Sequence, residues 1–265
     1  MRYFFIEPDD LKRASVTISG KEARHMGTVL RIKPGMIVGL CDGRGYQGKA
    51  RIRSLTRKQV VLEVLQRFPS RREPKGAIVV AQAMLKDQKM DLLVRQLTEL
   101  GMTGWHPFIS ARSVPQPGKG RQASRADRWA RIAREAVKQC RRGRVPDMAP
   151  LGQFADVLNN SHHFDTRILF WEGAGQALPV APEEAPVGDR RILMVVGPEG
   201  GFSDGEAHAA QAAGFRLATL GPRILRAETA TIAACTLVQH LYGDLSQAPP
   251  QDGVSARDDG ASGPV

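Results

Sequence analysis

Two glycine-rich segments in the second half of the chain hold the residues whose types and spacing suit small-ligand chemistry. Gly197-Pro198-Glu199-Gly200-Gly201 directly follows the apolar run 192–196 and precedes a helical pattern, which places a glycine loop at the carboxyl end of a buried strand. Open α/β sheets bind ligands there. The spacing is neither G-x-G-x-x-G nor G-x-x-x-x-G-K-[ST], and Glu199 would repel a pyrophosphate where nucleotide motifs present bare backbone. A carboxylate suits a positively charged ligand such as a sulfonium or an amine, and glycines let the backbone approach closely. A tight strand-to-helix turn accounts for the same residues equally well. The second segment, Leu220-Gly221-Pro222-Arg223-Ile224-Leu225-Arg226-Ala227-Glu228-Thr229-Ala230, follows the next strand and feeds the last helix. Two such loops side by side make a crevice. Within it, Arg226 and Glu228 are equally able to pair with each other or to cap the final helix.

The elements that must position these loops follow from periodicity. From Ala77 onward, buried-type strands at 77–83, 104–109, 167–171, 191–196 and 215–220 alternate with helical patterns, which predicts a parallel α/β sheet. Met90, Leu93, Val94, Leu97 and Leu100 form one helical face ended by Gly101. Ser124-x-x-Asp127 reads as the capping-box start of a second helix, buried through Trp129, Ile132, Ala133, Ala136 and Val137. Ser203-x-x-Glu206 opens a helix that stops at Gly214, and Ala230, Ala233, Ala234, Leu237, Val238 and Leu241 form a last stripe before Gly243. Residues 1–72 read instead as short strands at 3–6, 16–18, 36–41, 47–55 and 59–68, a small β-rich domain. A proline-flanked, charged joint at 69–76 puts the boundary near residue 73. A proline-rich surface loop is expected over 172–189 and a disordered tail over 246–265.

Charge is segregated along the chain. The total is +11, but residues 1–72 carry 16 basic and 6 acidic side chains, residues 112–144 carry 11 and 2, and residues 145–265 carry 7 and 15. Of the 38 cations, 28 are arginines, whose planar fork suits phosphate oxygens and base stacking. Such a distribution points to nucleic acid. On the second helix, Arg128, Arg131, Arg134, Lys138 and Arg142 fall off the apolar stripe, which predicts an RNA-contacting face. Three scattered cysteines, Cys41, Cys140 and Cys235, fit neither a disulfide framework nor a metal cluster, so no metal is expected. Acids follow closely on the short N-terminal apolar run, and no stretch approaches the roughly 18 apolar residues of a membrane span. A cytoplasmic protein with no membrane partner is expected.

The paired loops, Gly197 to Ser203 and Leu220 to Ala230, resemble the cofactor motifs of the RsmE family, SPOUT-class methyltransferases acting on small-subunit ribosomal RNA. The likeness extends to Lys86 through Gly101, to Glu135 through Pro146, and to Arg24-His25 with Val29-Leu30-Arg31. It covers most of residues 1–245. The resemblance implies a PUA-like, OB-like β-barrel over 1–72 and a SPOUT parallel α/β domain with a deep C-terminal trefoil knot over 73–245. It implies S-adenosyl-L-methionine bound by Leu169, Phe170, Gly197, Pro198, Glu199, Gly200, Gly201, Leu220, Gly221, Ile224, Leu225, Thr229 and Ala230. The implied reaction is methylation at N3 of a uridine in the decoding region of 16S ribosomal RNA, by a homodimer acting on the small subunit. Arg226 would stabilise negative charge on the uridine oxygen, and Glu228 or Glu199 would take a proton or bind the methionine amine. Arg24, His25, Arg31, Gln139, Arg141 and Arg142 would contact RNA.

Three other readings compete. The knot loops report the cofactor and hardly the substrate, so a SPOUT enzyme with another ribosomal or transfer RNA target is one. A non-catalytic ribosome-assembly protein with a degenerate pocket is another, against which stand the intact glycines at 197, 200, 201 and 221. A nucleotide-dependent α/β enzyme would need phosphate-cradling motifs that the sequence lacks.

Overall fold

The computed structural model describes residues 1–115, 118–178, 190–248 and 250, with backbone alone at 119 and 121. Its first sheet comprises β1 (Tyr3–Phe5), β2 (Ser15–Ser19), β3 (Ile37–Cys41), β4 (Tyr46–Leu55) and β5 (Gln59–Pro69), in the order β1-β3-β4-β5-β2. β1 runs parallel to β3 and the other neighbours are antiparallel. β2 shows why the strands form, since Val16 and Ile18 are buried while Ser15, Thr17 and Ser19 are exposed, the period of two of a half-buried strand. These side chains meet Phe4, Leu11, Met26, Leu40, Ile52 and Leu62 in one core. The sequence reading assigned no helix here. The structure has α1 (Gly20–Arg24), continued by a π-helical turn at His25–Val29, because burying Ala23 and Met26 three residues apart on one side favours a helical path.

The second sheet comprises β6 (Ala77–Ala83), β7 (Gly104–Ile109), β8 (Asp147–Met148), β9 (Gly152–Gln153), β10 (Thr166–Phe170), β11 (Arg191–Val196) and β12 (Arg216–Ala218). The order is β12-β10-β11-β6-β7-β8, with β9 also on β7, and every pairing is parallel. Its helices are α2 (Lys89–Glu99), α3 (Lys119–Cys140), α4 (Phe154–Asn159), α5 (Asp204–Ala212) and α6 (Ala227–Tyr242). Both faces are covered, as parallel sheets require. Val80, Ile168 and Met194 pack on one face with Leu93, Trp105 and Val238, while their neighbours Ala81, Leu169 and Leu193 pack on the other with Phe108, Phe202 and Phe215. Among the described residues, no helix is long and apolar enough to cross a membrane.

Two expectations about helix starts had different outcomes. Ser203 and Glu206 do form the capping box of α5, with Ser203 Oγ accepting from the Glu206 amide. The Ser124 and Asp127 pair does not open α3, which starts at Lys119 behind an extended Gly118, so both residues lie inside the helix. A capping signature fixes a helix start only when the preceding turn cannot join the helix, and nothing at 119–123 forbids it. The first part of the expected proline-rich loop, 172–178, is described and bridges to Thr219 through Ala177. Residues 179–189 of that loop and 251–265 of the expected tail lie outside the described residues.

The sheets are joined through the end of α3. Arg142 is 3% exposed. Its Nε and Nη2 donate to Glu73 Oε2 at 3.1 and 3.0 Å, and its Nη1 donates to the carbonyls of Thr98 and Met102 at 2.8 and 2.9 Å. Glu73 Oε1 accepts from the amides of Gly143 and Arg144, and Gln47 Nε2 reaches across to the carbonyls of Arg141 and Arg142. This corrects the assignment of Arg142 to RNA contact, since its guanidinium is spent on protein partners inside a buried joint.

Candidate functional site

β10, β11 and β12 end side by side, with Phe170 in register with Val196 on one side and Ala218 on the other. The loops that leave these ends bound a cleft of about 480 Å³, lined by Phe170, Trp171, Glu172, Val196, the segment from Thr219 to Leu225, and Ala230. The apolar floor and few polar groups are those of a small-ligand cleft. Gly221 sits at φ +97°, a left-handed conformation that an L side chain adopts only with strain, so glycine is what lets the chain turn here.

Phe170, Leu220, Gly221, Ile224, Leu225 and Ala230 therefore come together as the sequence reading placed them. Leu169 does not. It is fully buried in the core on the opposite sheet face, because adjacent strand residues point to opposite sides and Phe170 takes the cleft side. Thr229 is exposed and stands outside the lining. The segment from Gly197 to Gly201 borders the cleft without lining it. Its nearest link is Gly201, at φ +66°, where a Cβ would press against Glu172 Oε1. Gln82 supports this border from beneath: fully buried, it donates through Nε2 to the Gly197 carbonyl at 3.1 Å and accepts at Oε1 from Thr231 Oγ1 at 2.6 Å.

Glu199 and Glu228 are brought together by a residue the sequence reading did not single out. Lys89 Nζ lies 3.1 Å from Glu199 Oε1 and 3.2 Å from Glu228 Oε2. Glu199 Oε1 also accepts from the Lys86 amide at 3.1 Å. The contact to Glu228 Oε2 is within ion-pair distance but poorly angled for a hydrogen bond, so that buried oxygen has no hydrogen-bond partner among the described residues. The hydrogen bond and charge of Glu199, with the neighbouring Glu228 carboxylate, hold the ammonium above its usual pKa against the opposing effect of burial. For Glu199, burial works to raise the pKa, but backbone amides and the ammonium outweigh it and hold the carboxyl below the usual glutamate range. Glu199 is therefore a carboxylate tethered by Lys89 and the Lys86 amide. Arg226 occupies the N-cap position of α6 and is exposed; its side chain makes no capping hydrogen bond and, among the described residues, no ion pair with Glu228. Trp171 lines the cleft at the end of the strand segment 169–171 that the resemblance implies for the cofactor, whereas Glu172 and Thr219 were missed for want of a motif, although their positions just past strand ends are the available signal.

The remaining candidate RNA residues gather around a separate groove between the two sheets. His25 on the π-helical turn faces Gln139 and Arg141 at the end of α3, with Arg2, Glu22 and Lys138 beside them. Arg24 and Arg31 are exposed on the same N-terminal segment. Arg31 at φ +50° and Arg141 at φ +62° hold the left-handed conformation without being glycine, a cost that persists at functional sites. Cys41 and Cys235 are pushed up to about 12 by burial, and burial also raises Cys140, so no thiol offers a nucleophile.

Comparison with known proteins agrees with this geometry. Residues 71–239 match the RNA methyltransferase domain family, and residues 18–65 match the RNA methyltransferase PUA domain. The chain is 29% identical over 248 residues to ribosomal RNA small subunit methyltransferase E of Bacillus subtilis, covering 91% of this chain and 96% of that protein. It is 30% identical to the enzyme of the same name from Mycobacterium bovis, covering 87% and 88%. Among solved structures it is similar to ribosomal RNA small subunit methyltransferase E from Neisseria gonorrhoeae bound to S-adenosyl methionine, at 30% identity and a TM-score of 0.82, covering 92% of this chain and 99% of that one. A methyltransferase from Legionella pneumophila in complex with the same cofactor matches with a TM-score of 0.79 at 27% identity, covering 92% and 98%.

Proposed function

Because the chain belongs to the ribosomal RNA small subunit methyltransferase E family, we propose that it methylates N3 of a uridine in the decoding region of 16S ribosomal RNA with S-adenosylmethionine as donor. The observation that carries this reading is the cleft at the carboxyl ends of β10, β11 and β12. Its volume, its apolar floor of Phe170, Val196, Leu225 and Ala230, and the Glu172 carboxylate in its wall fit a ligand with an aromatic base and a positively charged end. Bound there, the donor supplies an electrophilic methyl group on a sulfonium.

This chain's own residues have the remaining work. N3 of uridine carries a proton and is a poor nucleophile until that proton leaves. Arg226, exposed beside the cleft wall formed by Leu225, is positioned to stabilise charge developing on the uracil oxygen. Glu228 offers as an acceptor its Oε2, ion-paired with Lys89 but without a hydrogen bond among the described residues, and Lys89 holds both it and Glu199 in place. Holding the base in line with the methyl group accounts for most of the acceleration such a site can supply.

The domain boundary near residue 73 and a C-terminal trefoil knot belong to the same proposal. α6 follows β12 at the sheet edge yet packs on α2, β6 and β11, which supports a segment threaded back across the sheet. So does action as a homodimer on a cytoplasmic small subunit. Ile224 is 92% exposed on the cleft rim, and Leu237 is exposed on α6, apolar side chains suited to cover by a second copy. Labelled S-adenosylmethionine offered with unmodified small subunits and with free 16S RNA, followed by nucleoside mass spectrometry, tests the reading. The expected product is 3-methyluridine. A different methylated nucleoside would overturn the uridine assignment, and cofactor binding without transfer to either substrate would overturn the target.

A further inference from the structure

A second cleft, of about 340 Å³, lies between the β6–α2 connection and the first turns of α3, lined by Gln88 and Met90 on either side of Lys89. We propose that it is a subsite for one nucleotide of the RNA strand flanking the methylated base, with Arg125 and Ser124 on the phosphate and Gln88 on the base edge. The inference rests on the RNA-methyltransferase reading above.

Three features carry it. First, one wall is prearranged by contacts within the protein. Asp91 accepts from Trp129 Nε1 at 3.1 Å through Oδ1 and pairs with Arg128 through Oδ2, which fixes that side of the cleft before any ligand arrives. Second, the donors are free. Arg125 lines the cleft half-buried, with no ion pair among the described residues, and Ser124 and Gln88 are exposed. A cation with no partner among the described residues, flanked by a hydroxyl and an amide, matches a phosphodiester and a base edge. Asp87 in the facing loop is held at φ +55° and joins Arg31 and Arg141 as the described non-glycine residues in left-handed conformation. Third, the cleft continues a path. Arg125, Arg128, Arg131, Arg134, Lys138 and Arg141 recur every three or four residues along α3, whose 22 residues span about 33 Å. At the far end is the groove of His25, Gln139 and Arg141. Lys89 follows Gln88 directly and pairs with Glu199 and Glu228, so the subsite adjoins the ion pairs that hold the loop bordering the cofactor cleft.

Arg125→Ala and Arg125→Lys, compared with the unaltered protein on 16S RNA over a salt series, decide the matter. The expected result for Arg125→Ala is a rise of about tenfold in KM for RNA, a fall of about one in the slope of log affinity against log salt, and unchanged kcat and cofactor Kd. Arg125→Lys, which keeps the charge, restores most of the affinity and the salt slope. Unchanged KM and slope in Arg125→Ala, with the unaltered protein methylating normally, would overturn the subsite and leave the enzyme reading intact. A change in sedimentation of Arg125→Ala would overturn it in favour of a subunit interface. Filter binding of the same RNA is scored in parallel. If the unaltered protein binds but transfers no methyl group, the catalytic reading fails and the binding slope still decides the subsite.

Discussion

At the scale of single residues, Lys89 shows how one side chain sets the state of two others. A lysine amid carboxylates reads in sequence as an ordinary exposed cation, yet here it binds the loop after β11 to the first turn of α6. The pH dependence follows from the directions of the shifts. Glu199 titrates below its unfolded value of about 4.3, so its contribution is present above that pH and is lost as pH falls through the depressed value. Lys89 titrates above about 10.4, so its contribution is present below that pH and is lost only as pH rises through the raised value. The Lys89–Glu199 pair therefore stays charged through the neutral range. Glu199→Gln is expected to weaken cofactor binding several-fold by calorimetry while the shape of the kcat profile between about pH 6 and about pH 9 stays the same. A displaced profile would make Glu199 the proton acceptor instead.

At the scale of elements, the joint at the end of α3 couples two sheets through buried charge. Glu73 comes from the connection that composition marked as a linker, and the structure makes it an anchor: one carboxylate serves the Arg142 guanidinium and two backbone amides. Removing one partner of a buried pair leaves the other uncompensated, a loss of about 3–5 kcal/mol. Glu73→Ala is expected to lower stability to chemical denaturation by about that amount. It should also lower affinity for RNA, since the His25 to Arg141 groove spans the joint, with the cofactor cleft retaining its ligand. Equal losses of RNA and cofactor affinity would mean that the joint also shapes the catalytic cleft. Apolar periodicity revealed α2, α3 and α6, and Ser203-x-x-Glu206 revealed the start of α5, because those signals act within a turn or two of chain, while the short α4 was not foreseen. The start of α3 and the helical path at 20–29 escaped it, since packing partners distant in sequence settle both.

At the scale of the whole molecule, the two basic segments, 1–72 and 112–144, are separated in sequence and adjacent in space. α3 lies against β1, Arg134 stacks over Phe5, and Lys138 approaches Glu22. A shared basic surface should bind a polyanion with steep salt dependence. Replacing Arg24 and Arg31 together with alanine is expected to reduce the salt slope by about two and weaken RNA binding at physiological salt, with cofactor affinity unchanged. Loss of cofactor affinity in that variant would contradict the separation of RNA and cofactor contacts between the two sheets.

By itself the sequence determined the class of each sheet and pointed to the glycine loops around the cleft and to a polyanionic partner. Each of these is written in neighbouring residues: alternation of two, glycines in a loop, or an excess of arginine within a window. Tertiary structure alone decided that Leu169 turns away from the cleft while Phe170 enters it, that Arg142 is buried on Glu73 whereas Arg141 is exposed, and that Lys89 joins Glu199 to Glu228. The physical reason is common to all three. A side chain's chemistry depends on what surrounds it, and those surroundings are assembled from segments that meet only when burial of the two sheets brings them together.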